Sequence, residues 1–167
     1  MASFLSRYLI SSRVRKENVN VKRQFMGWPA ISRLALVIDQ KQINKSQIDN
    51  FVQNSGKYID VYLVETSAKV PSFNDWKSLT RKERTLIGVP NENAYNLVSK
   101  DAYDAIIVLT ETDPDYCAAI VSSMKASFKC GNRNSYGEVD LIVECKSESS
   151  VTDKLSIIRK YLEMIRN

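Results

Sequence analysis

The chain has 167 residues and a formal net charge of +5. A domain of this size buries roughly 70% of the surface that its unfolded chain exposes, so its core needs no disulfide or metal. Histidine is absent, which removes the usual general base, the usual partner of a nucleophilic Ser or Cys, and the commonest metal ligand.

Two further features bear on the compartment. No stretch approaches the roughly 20 apolar residues of a membrane span, and the N-terminus lacks the apolar core of a secretory signal. The cysteines are odd in number and lack paired CxxC spacing, which favours buried free thiols over disulfides or zinc. They are Cys117, Cys130 and Cys145. A cytoplasmic protein with no metal and no cofactor is predicted.

The positive charge is concentrated at the N-terminus. Residues 1–32 hold one acid, Glu17, and six basic side chains, whereas residues 33–167 hold 18 groups of each sign. The six are Arg7, Arg13, Arg15, Lys16, Lys22 and Arg23. The chain is therefore divided into a basic N-terminal segment, residues 1–32, and a neutral single domain, residues 33–167.

The N-terminal segment has the pattern of an amphipathic helix. Residues 2–24 contain no proline or glycine, and one helical face holds Phe4, Leu5, Tyr8, Leu9 and Ser12. One interpretation is a surface that attracts phosphate, on nucleic acid or on an anionic membrane. The second is a helix that packs on the domain by its apolar face, with solvated arginines outside. The third is an organelle transit peptide, which fits the Arg and Ser content and the lack of acids before Glu17.

Residues 33–167 alternate between strand and helix patterns, which predicts a three-layer α/β domain with a mostly parallel, Rossmann-like sheet. Ala105–Leu109 is apolar, largely β-branched and flanked by polar residues, so it is the predicted central strand. The other predicted elements are strand Leu34–Ile38, helix Ser46–Phe51, strand Ile59–Val64, strand Thr85–Val89, helix Asn91–Val98, a helix capped by Thr112 and Asp115, strand Phe128–Cys130, strand Leu141–Cys145, and a terminal helix with Leu155, Ile158, Leu162 and Ile165 inward.

Two segments depart from this alternation. Thr66–Arg84 is irregular and basic and contains Phe73 and Trp76, which predicts either a nucleic-acid-binding loop or aromatic side chains that cover the sheet edge. Asn132–Glu138 is too short for the usual parallel crossover, so Leu141–Cys145 is expected to pair antiparallel to the strand before it or to lie elsewhere in the sheet.

Polar side chains follow the predicted strands at the edge where open α/β sheets place their ligands. Asp39 follows the first strand, Glu111 and Asp113 follow the central strand, and Arg133 follows the next. These four are the candidate cofactor-binding or ligand-binding residues. Because Thr112 and Asp115 have the spacing of a capping pair, capping explains most of that cluster without a ligand. The five glycines are scattered and form no phosphate-binding loop.

Two resemblances follow from these motifs. YDAII at Tyr103–Ile107, the small-residue helix ending in SSMKASFKCG at Ser122–Gly131, and the terminal helix resemble a small family of uncharacterised Bacteroidota proteins, a domain of unknown function. That implies a cytoplasmic bacterial α/β protein, argues against an organelle transit peptide, and supplies no catalytic residues. The same motifs resemble, in fewer features, the N-terminal half of heptosyltransferase-type glycosyltransferases. The 167 residues hold no second Rossmann half, where such enzymes bind the nucleotide sugar.

The sequence thus favours a non-enzymatic binding or scaffolding protein whose basic N-terminal helix contacts nucleic acid or an anionic membrane. No catalytic residue is predicted, because a nucleophile motif, a metal ligand set and a phosphate loop are all missing. The alternative is an enzyme that binds a small molecule or nucleotide at the carboxyl edge of the sheet.

Overall fold

The computed structural model describes residues 4–19, 22–39, 41, 43–65 and 73–165. Within these ranges the chain forms five α-helices and six strands. In chain order they are α1 (Phe4–Asn18), β1 (Arg33–Asp39), α2 (Lys45–Asn54), β2 (Tyr58–Val64), β3 (Lys77–Leu79), α3 (Glu92–Ser99), β4 (Ala102–Thr110), α4 (Pro114–Ser123), β5 (Lys125–Gly131), β6 (Leu141–Ile142) and α5 (Val151–Met164).

The six strands form one sheet in the order β3-β2-β1-β4-β5-β6, and every pairing is parallel. β4 lies between β1 and β5, with Leu36 paired to Ile107 and Ile107 paired to Cys130. The predicted central strand is confirmed. Its continuous apolar run is explained by helices that cover both faces of a parallel sheet.

Side chains alternate between two cores, one on each face of the sheet. Leu34, Leu36 and Ile38 of β1 pack with Ile48 of α2 and with α5. The intervening β1 residues pack with α3 and α4, in a core that includes Ala35, Val37, Val98, Tyr116 and Ile120. The fold is therefore the predicted three-layer, Rossmann-like α/β arrangement. The inward face predicted for the terminal helix is also confirmed, since Leu155, Ile158 and Leu162 are fully buried.

Helix α1 lies outside these layers and packs on α4. The side chains it buries are Ser6, Ile10 and Val14, and the last two form a small core with Ala119 of α4. The helix docks on the domain, but the prediction that it docks by its most apolar face is wrong. The small side chains of α4 leave room for the buried side of α1, which includes Ser6. The more apolar side of α1 is exposed to solvent.

Two predicted strands differ from the structure. Thr85–Val89 is a closed turn rather than a strand, with Gly88 at φ +82° and a hydrogen bond from its N–H to the Thr85 carbonyl (2.9 Å). The edge strand next to β2 is instead β3, inside the segment predicted to be irregular. Residues 66–72 of that segment lie outside the described residues. Trp76 is buried there and Phe73 packs against it, so covering the sheet edge was the correct interpretation of these aromatics.

The last strand pairs parallel to β5, which corrects the expected antiparallel pairing. Cys130 is paired with Leu141 and Gly131 with Ile142. A parallel return normally needs a long crossover because the chain must travel back along the whole strand. β6 has only two residues, so the chain leaves the end of β5 and rejoins it at nearly the same level.

Candidate functional site

Asp39 ends β1 at the carboxyl edge of the sheet and is almost completely buried. One of its carboxylate oxygens accepts hydrogen bonds from the backbone N–H groups of Glu111 (3.3 Å), Thr112 (3.0 Å) and Asp113 (2.6 Å). The Thr110 hydroxyl donates to the same oxygen (2.9 Å), and the Thr112 hydroxyl donates to the other.

These donors line the loop between β4 and α4, just before a helix N-terminus. Successive backbone N–H groups at such a position form the concave site that holds phosphate in many doubly wound proteins. Here the carboxylate of Asp39 fills that concavity from the neighbouring strand. The loop is thus satisfied by the protein's own anion, and Asp39 serves to hold β1 to the start of α4.

The other three candidates at this edge do not converge. Asp113 caps α4, accepting from the Tyr116 N–H (3.1 Å), and forms a salt bridge with Arg84. Asp113 is therefore the capping residue that sequence analysis assigned to Thr112. Glu111 points toward Lys41, whose Nζ lies 3.8 Å away. Arg133 is exposed on the loop after β5.

A crevice of about 750 Å³ opens at the same edge. It lies at the point where the strand order reverses between β1 and β4, the usual ligand position in such sheets. Its walls come from the loop after β1, the start of α2, Glu111, and residues 147–152 before and at the start of α5. Of the four candidate residues, only Glu111 lines it. The Ser147–Ser150 wall was missed because its polar run gave no signal beyond a helix start.

The solvent face of α1 holds the apolar side chains that the sequence had placed together. Phe4 is 89% exposed, Tyr8 64%, Leu5 54% and Leu9 42%. Further along the same stripe, where residues seven apart are stacked, lie the exposed cations Arg15 and Lys16. The face is therefore apolar in its first half and cationic in its second half.

The six predicted anion-binding residues fall into two groups. Three contact the domain: Arg7 lies 3.6 Å from Asp115, Arg13 donates to Ser123 (3.1 Å), and Arg23 lies 3.6 Å from Asp140. Arg13 also stacks on the Tyr95 ring. The other three, Arg15, Lys16 and Lys22, are exposed and take part in none of the ion pairs between described residues.

One buried cation was not foreseen. Lys129 of β5 is 1% exposed and donates from Nζ to the carbonyl of Val121 at the end of α4 (2.5 Å). Burial lowers its pKa to about 7, helped by the nearby positive charge of Arg23. The sequence places Lys125 and Lys129 on the same face of a strand, and only the packing of α4 shows that Lys129 is buried.

Two further tests concern the described residues. They include no group of three or more His, Cys, Asp or Glu side chains placed to hold a metal ion. None of their helices combines the length and apolarity needed to cross a bilayer. All three cysteines are free; Cys117 and Cys130 are buried, and burial raises the pKa of both thiols.

Comparison with known proteins identifies the family. A family of unknown function, DUF6913, matches residues 3–165, nearly the whole chain. The chain belongs to this family. No curated protein and no solved structure matches it significantly. The DUF6913 assignment agrees with the resemblance to a domain of unknown function and attaches no activity to the crevice or to the face of α1.

Proposed function

We propose that this protein binds an anionic membrane surface through the solvent face of α1, and that it acts as a binding or scaffolding protein rather than an enzyme. The observation that carries the proposal is the exposure of Phe4, Leu5, Tyr8 and Leu9 on a helix that is already docked by its opposite side. A helix in this arrangement can bury its apolar face in a second phase without leaving the domain.

Charge supports a membrane over a neutral partner. Arg15 and Lys16 continue the apolar stripe, and Lys22 follows the helix. A basic residue near an anionic bilayer contributes about 1 kcal/mol, so these three would contribute about 3 kcal/mol at low salt. The apolar half adds the area-dependent contribution of an interfacial helix.

The same features make nucleic acid the weaker candidate. Phosphate contacts require cations, and three of the six predicted ones are engaged with the domain. The apolar half of the face would stay in solvent on a duplex, because phosphate and groove contacts are polar. Nucleic-acid binding by three cations would be weak, with a slope of about −3 in log affinity against log salt.

A non-enzymatic role is supported by the carboxyl edge of the sheet. The position that would cradle a phosphate holds Asp39, and Asp113 is used by the helix cap and by Arg84. A cytoplasmic, bacterial setting is part of the same proposal. Its support is the likeness to Bacteroidota proteins and the negative surface potential of the cytoplasmic leaflet, which suits these cations.

A second candidate function is the binding of a small polar molecule in the 750 Å³ crevice. The observation that favours it is the position of the crevice at the reversal of strand order. A thermal-shift screen with nucleotides, sugar nucleotides and sugar phosphates tests it. A specific rise in melting temperature that is lost in Glu111→Gln but kept in Glu163→Gln, on the exposed end of α5, would support this function. A screen in which no compound raises the melting temperature would contradict it.

The membrane proposal is tested by flotation of the full chain with phosphatidylcholine vesicles that contain or lack phosphatidylserine. We expect flotation only with the anionic vesicles. Leu5→Ser with Leu9→Ser should abolish it, whereas the matched pair Tyr161→Ser with Met164→Ser, exposed on α5, should not. Arg15→Gln with Lys16→Gln should weaken it, with Lys100→Gln and Lys160→Gln as the charge-matched control. Wild-type flotation that ignores lipid charge, or that survives the α1 substitutions, would contradict the proposal.

A further inference from the structure

The turn Thr85–Val89 presents two adjacent apolar side chains at its tip. Leu86 is fully exposed, and Ile87 is 38% exposed. Single exposed aliphatic residues are common on protein surfaces. Two in sequence at the tip of one turn form a small exposed apolar patch, the kind of feature that marks an interaction site.

The turn is closed and held in place by backbone hydrogen bonds. The Thr85 N–H donates to the Val89 carbonyl (2.8 Å), and the Gly88 N–H donates to the Thr85 carbonyl (2.9 Å). At its base Arg84 and Pro90 form an antiparallel bridge. Because the backbone is already ordered, insertion of the tip into another phase would require little further loss of conformational entropy.

The turn shares its support with α1. The Arg84 guanidinium forms a salt bridge with Asp113 and lies 3.7 Å from the centre of the Tyr116 ring, both at the start of α4. Helix α1 packs on the same α4 through Ile10. A cleft of about 440 Å³ lies between them, with Arg7 and Ile10 on the α1 side and Ile87 and Gly88 on the turn side. The turn therefore lies beside the first half of α1, next to the side of the helix that packs on α4.

Cations accompany the turn as they accompany α1. Arg81 and Lys82, in the short helical segment just before it, are exposed and belong to none of the salt bridges found within the described ranges. Apolar side chains at the tip with basic side chains behind them suit a bilayer with anionic headgroups, where the two parts meet the acyl boundary and the lipid phosphates.

We propose that the Leu86–Ile87 tip is a second membrane-inserting element, which enters an anionic bilayer beside the apolar half of α1. This inference rests on the proposed function and adds a second attachment point to it. Two elements on one rigid support bind together more tightly than either alone, because the second inserts at high effective concentration once the first is bound. They also fix the orientation of the domain on the surface.

Vesicle partitioning of the full chain tests the proposal. Leu86→Ser with Ile87→Ser should weaken binding to phosphatidylserine-containing vesicles roughly tenfold, because apolar area at the tip no longer leaves water. Tyr161→Ser with Met164→Ser is the matched control and should bind as the wild type does. Arg81→Gln with Lys82→Gln should lower binding at low salt and have little effect at high salt.

A direct probe of insertion is Leu86→Trp. The native Trp28 and Trp76 are buried, so their emission should not respond to vesicles. The emission of the new indole should shift to the blue with anionic vesicles alone, and lipids brominated near the headgroup should quench it. Circular dichroism and urea unfolding of each variant confirm that the turn substitutions leave the fold intact.

The outcomes separate this inference from the proposed function. If Leu5→Ser with Leu9→Ser abolishes flotation while the turn variants bind as the wild type does and the Leu86→Trp emission is unchanged, α1 alone contacts the bilayer and the second element is wrong. If the wild-type chain binds no vesicle, both are overturned. If Leu86→Ser instead dissolves a dimer seen in sedimentation, the tip contacts a second copy of the chain and the inference is wrong.

Discussion

The buried amine of Lys129 should make the free energy of unfolding rise with pH in the alkaline range. Its pKa is about 7 in the folded protein against 10.5 for an ordinary lysine. Because the folded state disfavours the charged form, the unfolded chain binds more protons between these two values. The unfolding free energy should therefore rise as pH increases from 7 toward 10.5, and change little below pH 7.

The magnitude follows from the two pKa values. The full penalty of the charged amine, below pH 7, is about 5 kcal/mol at 1.36 kcal/mol per pKa unit. Integrating the linkage relation between pH 7 and pH 9 gives a gain of about 2 kcal/mol in unfolding free energy. The buried thiols act the other way. Since burial raises the pKa of Cys117 and Cys130, they ionise first in the unfolded chain, and stability falls above a pH of about 8.5.

A difference between variants isolates the lysine from the thiols. Lys129→Met keeps the volume and removes the titrating group, and Lys125→Met on the exposed start of β5 is the control. Between pH 7 and pH 9, the unfolding free energy measured with urea should rise by about 2 kcal/mol less in Lys129→Met than in the wild type. Equal pH dependence in wild type and Lys129→Met would refute the reasoning, because the amine would then be charged and stabilised by the α4 carbonyls at both pH values.

Two other predictions concern the carboxyl ends of β1 and β5. Asp39→Ala leaves backbone and hydroxyl donors of the β4–α4 loop without their acceptor and should lower the unfolding free energy by about 3 kcal/mol or more. Asp39→Asn should lower it less. A urea midpoint of Asp39→Ala near the wild-type value would contradict this, because it would show that water replaces the carboxylate. Gly131→Ala would place a Cβ inside the sheet, 2.5 Å from Val108 Cγ1 and 2.6 Å from the Val108 carbonyl oxygen, so it should lower the unfolding free energy by about 2 kcal/mol or more. Gly56→Ala is the control. Its Cβ would have no neighbour within 4 Å, and the backbone strain at φ +67° should lower the unfolding free energy by about 1 kcal/mol.

Much of the fold was predictable because burial on both faces leaves a clear mark. β4 reads as a continuous apolar run between polar flanks, and α5 repeats its apolar residues at helical spacing. β3 could not be found in this way. Three residues, Lys77–Leu79, carry too little pattern, and the strand exists because β2 offers a partner edge. Thr85–Val89 was wrongly predicted to be a strand because aliphatic residues favour strands. In the structure, Gly88 closes this segment into a turn.

The candidate site was less predictable, because its geometry depends on residues far apart in the chain. The sequence placed Asp39 at the correct edge, but the groups that surround it come from residues 110–113. The docking face of α1 was misassigned because periodicity selects the most apolar stripe. The stripe that packs is decided by the shape of α4, where Ala119 leaves room for a helix to lie close.

The structural role of Asp39 bears on where the chain can bind a partner. In an open parallel sheet, chemistry usually gathers where the strands end, and here that position is satisfied internally by a carboxylate that ties two strands together. The crevice beside this carboxylate is one place for interaction, and the exposed apolar side chains outside the core are the other. Two exposed apolar areas of the surface belong to α1 and to the tip of the Thr85–Val89 turn, both supported by α4. Because α4 begins in the loop that Asp39 holds, a loss of Asp39 should disturb membrane binding as well as stability, which links the interior of the sheet to the proposed docking surface.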